Sequence, residues 1–453
     1  MRIKDYTPFY KRNLHLAFPV VLSQIGQVTV SLADNIMVGH VGTPELAASS
    51  FANNIFMIGM FFGMGITFGT TPLTGNAFLK GNLREVVIFL KNGFFTHLFT
   101  GFVLGLFMLS VYFLLPFMGQ TPEVLRLARP YYLLLCASYI PFILFFSLKQ
   151  FFEGIGNTSM AMIITLTTNI INVAINYVFI FGKFGFPELG LNGAGIGTLI
   201  ARIFMPVLFS FYIFKNPRFR RYFILARLQR FYRDRIIMLL IIGIPIGFQI
   251  IVEVIAFGAG AVMMGWLGET PLAAHQVAIG MASLTYMVSL GISQANTIRV
   301  SHQMGIKDFR SLKMAAYAST HLVLLFMGFM GLVFVFARNI LPLIFTYDSE
   351  VIRIASGLLV IAAIFQIFDG LQVVMLSSLR GMADVKLPMY IAFFSYLLLG
   401  IPTSYVFAFL LNSGPLGIWY GYLIGLGTAG ILFFLRFQHN LRKKHKKSGL
   451  SFI

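Results

Sequence analysis

The sequence predicts an all-α polytopic membrane protein, with twelve transmembrane helices arranged in two pseudo-symmetric six-helix lobes. Three observations carry that prediction. The 453-residue chain is 58% hydrophobic and only 11% charged, with 50 phenylalanines, far from the balance of a water-soluble domain. Its apolar residues gather into runs of about 20, the length that crosses a hydrocarbon core as an α-helix. The second half of the chain repeats the first at a nearly constant offset.

Taken in order and punctuated by Gly, Pro and charge, the runs place helices at 14–40, 48–75, 88–114, 128–150, 160–182 and 192–214, then at 237–264, 275–301, 314–337, 353–378, 388–411 and 416–437. The basic start, Met1 to Arg12, has no small-residue cleavage site and leads into a span too long for a signal peptide, so the first helix is expected to be retained. Between the sixth and seventh runs, Lys215 to Arg235 holds eight Lys and Arg, and the chain ends on the basic stretch Arg442 to Lys447. Cytoplasmic segments carry such an excess. Both stretches and both termini are therefore expected on the cytoplasmic side of a plasma membrane, the inner membrane of a bacterium. The connections 40–45, 187–190, 266–270 and 347–350 carry acids or few bases, as external loops do. The expected divisions are an N-lobe at 1–214, a basic inter-lobe linker at 215–236, a C-lobe at 237–437 and a basic tail at 438–453.

Sliding the chain by 226 residues pairs Pro19 with Pro245, Gly39 with Gly265, Gly42 with Gly268, Leu46-Ala47-Ala48 with Leu272-Ala273-Ala274, and Gly65 with Gly291. One further residue of offset pairs Glu153-Gly154 with Arg380-Gly381 and Met162 with Met389. Each half holds an even number of spans, so both enter the membrane the same way round. That defines parallel repeats about an axis along the membrane normal. Pro19 and Pro245, inside the first helix of each half, are positions for a kink.

The formal charge of +19 does not point to nucleic acid: the bases flank apolar runs, where lipid headgroups attract them. The only cysteine, Cys136, lies in an apolar run, which excludes an intrachain disulfide and fits packing. There is no phosphate-binding loop, no H-E-x-x-H and no evident nucleophile–base pair, so neither enzyme chemistry, nor a cofactor, nor direct ATP drive is expected. An ion gradient is then the natural energy source. Trp266 and Trp419 are expected at external helix ends, as interfacial anchors.

The chemistry is concentrated in a few polar groups. Of 15 acidic residues, three fall inside apolar runs: Asp34, Glu253 and Asp369. An ionised carboxylate at the bilayer centre costs roughly 2.5–3.5 kcal/mol on insertion scales, and such groups usually pair or line a polar pathway. Arg202 is the only deep base expected, too few to neutralise three acids. Gln24, Gln27, Ser31 and Asp34 recur at helical spacing, and Gln249 with Glu253, Gln366 with Asp369, and Asn172 with Asn176 sit three or four apart, so each set shares a helix face. Carboxylate, amide and hydroxyl oxygens suit a hard cation such as Na⁺, and a carboxylate equally carries a proton. For the asparagines, interhelical hydrogen bonding is an equal alternative. In the repeat, Glu253 pairs with Gln27, Asp34 with Gly260 and Asp369 with Phe142, so the acids are not symmetric.

These residues resemble the multidrug and toxic compound extrusion (MATE) transporter family, most closely its NorM-type branch. The resemblance runs over the whole chain. It rests on Pro19 through Asp34-Asn-Ile-Met-Val-Gly39, Glu153-Gly-Ile-Gly-Asn157, Gln249 with Glu253, Phe368-Asp369-Gly-Leu-Gln372, and Arg380-Gly381. It implies two six-helix lobes that alternate between outward-open and inward-open states, exporting cationic amphipathic compounds in exchange for Na⁺ or H⁺, with a monomer as the functional unit. By similarity, Glu253, Asp369 and Tyr286 form a C-lobe cation site, and Asp34, Asn172, Asn176 and Thr198 an N-lobe one. Gln276 and Asp348, together with Glu253 and Asp369, take the positions of substrate contacts. Phe365 departs from relatives that carry a tyrosine there. The alternative within the same broad superfamily is a flippase for lipid-linked sugars or lipid precursors, which calls for a basic cavity.

Overall fold

The computed structural model describes residues 3–448. Met1, Arg2 and residues 449–453, the end of the expected basic tail, lie outside the described residues, as do the side chains of Ile3 and of 445–448. Twelve helices are long and apolar enough to cross a membrane. They are α1 Lys4–Gly39, α2 Thr43–Leu79, α3 Leu83–Val111, α4 Pro122–Gly154, α5 Thr158–Phe181, α6 Gly190–Lys215, α7 Arg233–Leu267, α8 Glu269–Gly305, α9 Phe309–Phe336, α10 Ser349–Gly381, α11 Lys386–Leu410 and α12 Pro415–Lys444. Every one begins before its apolar run does. Polar first turns account for that: a helix starts where a side chain accepts its orphan N–H groups, not where apolar residues begin. Asn82 accepts from Glu85 N at 3.1 Å, Asn157 from Met160 N at 3.3 Å, and Asp308 from Ser311 N at 2.9 Å. Large apolar side chains stand exposed along the spans, among them Phe99 (67%), Phe107 (66%), Leu325 (75%) and Phe336 (83%). Such a surface suits hydrocarbon rather than water.

The repeat read from the sequence reappears in the turns. Asn82 and Asp308, which cap α3 and α9, are 226 apart, and the residues just before them, Gly81 (φ 70°) and Lys307 (φ 58°), both adopt the left-handed conformation. Gly156 (φ 83°) and Ala383 (φ 60°) match in the same way at an offset of 227.

Contacts divide the chain into two compact units, one of Leu22–Gly247 and one of Met1–Val21 with Phe248–Ile453. The divisions fall inside α1 and α7, each two residues beyond Pro19 or Pro245, although both helices run through without a break. They do not fall in the basic segment expected to separate the lobes, where a short helix, Pro217–Leu228, is capped by Asn216. Glycine explains where the packing goes. A Cβ on Gly65 would lie 2.8 Å from the Gly247 nitrogen and one on Gly69 3.0 Å from the Gly243 nitrogen, so α2 meets the first half of α7 backbone to backbone. In the other unit Gly291, the repeat partner of Gly65, would set a Cβ 2.9 Å from the Val21 nitrogen, and α8 receives the first half of α1 in the same manner. Asn13 adds hydrogen bonds to the Ala315 carbonyl (2.9 Å) and Ser319 Oγ (2.8 Å).

In that second unit α12 lays Gly417, Gly421 and Gly425 against α11. Cβ atoms there would come within 2.5 Å of Ala408 N, 2.5 Å of Ser404 N and 3.0 Å of Ser395 O. The facing helix is wound as π-helix over Phe393–Gly400 and Val406–Leu410. Trp419, expected as an interfacial anchor, is fully buried instead. Its Nε1 donates to His275 Nδ1 at 3.2 Å, which satisfies the one polar atom that would otherwise have drawn the ring to an interface. Trp266 is 64% exposed.

Candidate functional site

The three acids read from the sequence fall into two clusters, one in each unit. In the unit Leu22–Gly247, Asp34 Oδ1 accepts a hydrogen bond from Asn176 Nδ2 at 2.7 Å, and the same amide reaches Asn172 Oδ1 at 3.3 Å. The four-residue spacing on α5 thus brings both asparagines to the carboxylate of α1. Gly197 on α6 makes room for this, since a Cβ there would overlap Asn176 Oδ1. No hydrogen bond joins Thr198 to the cluster among the described residues. Arg202 stands nearby: it donates to Ser138 Oγ at 2.7 Å, lies over the rings of Phe56 and Phe142 at 5.1 and 5.0 Å, and interacts with Asp34 through its charge. Ser31, expected on the polar stripe leading to Asp34, is exposed.

The second cluster joins α7, α8, α10 and α11. Tyr286 and Asp369 both act on Glu253, the hydroxyl favourably and the second carboxylate by repulsion. Asp369 is 5% exposed, and its Oδ1 has no hydrogen-bond partner among the described residues. Arg380 Nη2 donates to Gln249 Oε1 at 3.2 Å, one helical turn before Glu253, and its charge acts on that carboxylate. Tyr396 faces the same carboxylate and accepts a hydrogen bond from Gln372. A cavity of about 20 Å³ beside Glu253 is walled by Phe257, Tyr396, Tyr422, Gly421 and Gly425. The partnerless Asp369 oxygen, the Glu253 carboxylate and the Tyr286 hydroxyl are oxygen donors, the atom type that hard cations favour.

The expectations about deep bases and buried acids are corrected, and the other polar residues take the following places. Arg202 is not the only deep base: Lys149 is 2% exposed, Arg299 8% exposed, and Arg380 reaches the second acid cluster. Glu153 is a further deep acid, 2% exposed beside 5% for Asp369, whereas Asp34 and Glu253 are half-buried; it is held by Lys149 at 3.8 Å. Both were misread because they lie at the ends of the apolar runs, and the helices continue past them. Gln366 makes no hydrogen bond to Asp369 among the described residues; it accepts from Thr285 Oγ1 at 3.1 Å and donates to the Met327 carbonyl at 3.0 Å, clamping α10 between α8 and α9. Asp348 caps α10, accepting from Glu350 N and Val351 N at 2.9 and 3.1 Å, and Gln276 is exposed on α8. Neither reaches the Glu253 cluster through a hydrogen bond among the described residues. Phe365 is 2% exposed and packs on Trp419 at 5.5 Å. Tyr396 carried no sequence signal, and Gln372 and Arg380 stood only among the residues of the family resemblance, because tertiary packing of α10 and α11 is what brings them to α7.

The asymmetry of the acids has a structural form. At Gly260, the repeat position of Asp34, a Cβ would overlap the Tyr422 hydroxyl, which donates to the Phe257 carbonyl at 3.1 Å. At Phe142, the repeat position of Asp369, a ring supports Arg202. None of Asp34, Glu253 and Asp369 forms an ion pair among the described residues, where the five ion pairs involve other acids.

Two six-span repeats with unpaired carboxylates set inside their spans define a multi-pass helical membrane protein of the two-repeat class. The MatE family model matches both halves, over residues 19–178 and 245–406, starting at Pro19 and again at its repeat partner Pro245. The chain belongs to this family, the MATE proteins, and to its NorM-type branch. It is 31% identical over 96% of its length to a probable multidrug resistance protein NorM of Agrobacterium fabrum, 95% of which is covered. It is 35% identical over 95% of its length to a protein described in the same words from Rhodopseudomonas palustris, 92% of which is covered. A crystal structure of a MATE protein in the bent conformation shares the fold, with a TM-score of 0.88 at 19% identity over 98% of each chain.

Proposed function

We propose that the chain is a secondary active multidrug exporter, which moves cationic amphipathic compounds out of the cell by alternating access in exchange for Na⁺ or H⁺. The names of its relatives support the multidrug reading. The observation that carries the ion-coupled part is the pair Glu253 and Asp369, brought together beside Tyr286 and left without an ion pair. An unpaired carboxylate pair inside membrane spans is held at a cost that a bound cation or proton offsets. Asp34, with Asn172 and Asn176, supplies a second acid in the other unit. Coupling requires only that ion and substrate favour different conformations. On this reading the protein works as a monomer in a bacterial inner membrane, with Gln276 and Asp348 as outer substrate contacts. Thr198 has no hydrogen bond in its favour there.

The flippase reading calls for a preponderance of bases around the cavity. Two acids and one arginine meet at the Glu253 cluster, which favours a cationic over an anionic substrate. The test is transport by the purified protein in liposomes, with Na⁺ and pH gradients imposed separately. Uphill movement of tetraphenylphosphonium under at least one gradient is expected, with loss of at least tenfold in Glu253→Gln and Asp369→Asn. Unchanged transport by both variants at normal protein levels would remove these acids from the coupling step.

A further inference from the structure

Both acid clusters contain one arginine, but they do not balance alike. In the unit Leu22–Gly247 a single carboxylate, Asp34, faces the Arg202 guanidinium, so the formal charges cancel. At the other cluster Glu253 faces both the Arg380 guanidinium and a second carboxylate, Asp369, which has no base of its own. Tyr286, Tyr396, Gln249 and Gln372 complete that cluster and are neutral. With both acids ionised the group carries a net charge of −1.

We infer that Arg380 is a specificity-determining residue: its fixed positive charge offsets one of the two carboxylates, so that this site takes a single positive charge from a monovalent cation or a singly charged organic substrate. The geometry fits a tethered counter-charge. The guanidinium is anchored on Gln249 Oε1 at 3.2 Å instead of forming a direct ion pair with Glu253, and its Nε has no hydrogen-bond partner among the described residues. It therefore lowers the negative potential at Glu253 without occupying the carboxylate, which borders a cavity of about 20 Å³. Arg is suited to this because it keeps its charge when buried. The repeat reinforces the point, since the position of Arg380 in the other half is Glu153, an acid already paired with Lys149. The charge at this position is thus inverted between halves.

The inference rests on the exporter reading and is tested separately from it. Binding of tetraphenylphosphonium, with one charge, and of 1,10-bis(trimethylammonium)decane, with two, is measured by calorimetry on the purified full chain, alongside the melting temperature. Arg380→Gln is expected to shift the affinity ratio toward the dication by tenfold or more, whereas Arg380→Lys leaves it within twofold of the original. Adding Asp369→Asn to Arg380→Gln is expected to restore the original ratio. A ratio unmoved by Arg380→Gln, or equal weakening of both probes, overturns the inference. If Arg380→Gln alone does not fold, the test passes to Asp369→Asn: adding Arg380→Gln to it must recover tetraphenylphosphonium binding, and failure to do so overturns the inference equally. Binding of tetraphenylphosphonium that is indifferent to Glu253→Gln would instead overturn the exporter reading.

Discussion

Asn176 shows what one side chain adds to the spacing. Its amide donates to Asp34 at 2.7 Å from a fully buried position, an interhelical hydrogen bond that also orients the carboxylate. A hydrogen bond to a charged group contributes about 1.5–3 kcal/mol, and its loss leaves the acceptor underserved. Asn176→Leu is therefore expected to lower stability by about that amount in thermal or denaturant unfolding in detergent, while tetraphenylphosphonium binding at the Glu253 cluster stays within twofold. A stability loss of the same size in Asn172→Leu would contradict the assignment, because Asn172 reaches Asp34 only through Asn176. At this scale the sequence made the acids legible through their scarcity, since a carboxylate among apolar residues is conspicuous without any knowledge of its neighbours. Their partners were legible only in part: Gln249 and Asn176 through helical spacing, Tyr286 through the family resemblance. Arg380 reads as a helix-end base, and Tyr396 as one aromatic among many, until α10 and α11 pack against α7.

At the scale of elements, glycine and turn geometry decide how closely helices approach. Gly421 sits where a Cβ would come within 2.5 Å of the Ser404 nitrogen, and the obstacle is backbone that cannot swing aside. Gly421→Leu is expected to cost about 1–3 kcal/mol or more from overpacking, read as a lower melting temperature or failure to express. The opposite sign is expected at Ala383, whose φ of 60° costs a side-chain-bearing residue roughly 1–2 kcal/mol. Copying its repeat partner Gly156 with Ala383→Gly is expected to stabilise by about 0.5–1 kcal/mol after the greater chain entropy of glycine is subtracted. A fall in melting temperature would show that the turn relaxes around alanine without strain. Helix number was legible because each span must be apolar along its length. Helix starts were not, since the capping turn of α3 or α9 is polar and looks like loop. Trp419 was misread for a related reason: an indole near a helix end resembles an interfacial anchor until its hydrogen bond to His275 is seen.

At the scale of the molecule, the 226-residue offset governs more than sequence similarity. It relates Pro19 to Pro245, Gly65 to Gly291, and the unit divisions Leu22 to Phe248, so the exchange of half-helices between units follows from the duplication itself. The even span count in each half then ties the orientation of one repeat to that of the other, and charge supplies the sign. The segment Lys215 to Arg235 carries eight bases, while the connections near Glu188, Glu269 and Asp348 carry acids. By the positive-inside rule the first is expected in the cytoplasm and the others outside. The buried Cys136 is the only cysteine, so the wild-type chain gives a quiet background for thiol labelling in intact cells. Cysteines introduced singly at Glu188 and at Tyr347, which is 89% exposed, are expected to react with an impermeant maleimide added outside. A cysteine at Leu228, 75% exposed after the short basic helix, is expected to react only once the membrane is opened. The reverse pattern would invert the whole molecule, whereas labelling of Leu228→Cys and Tyr347→Cys from the same side would break the even-span repeat on which the fold prediction stands.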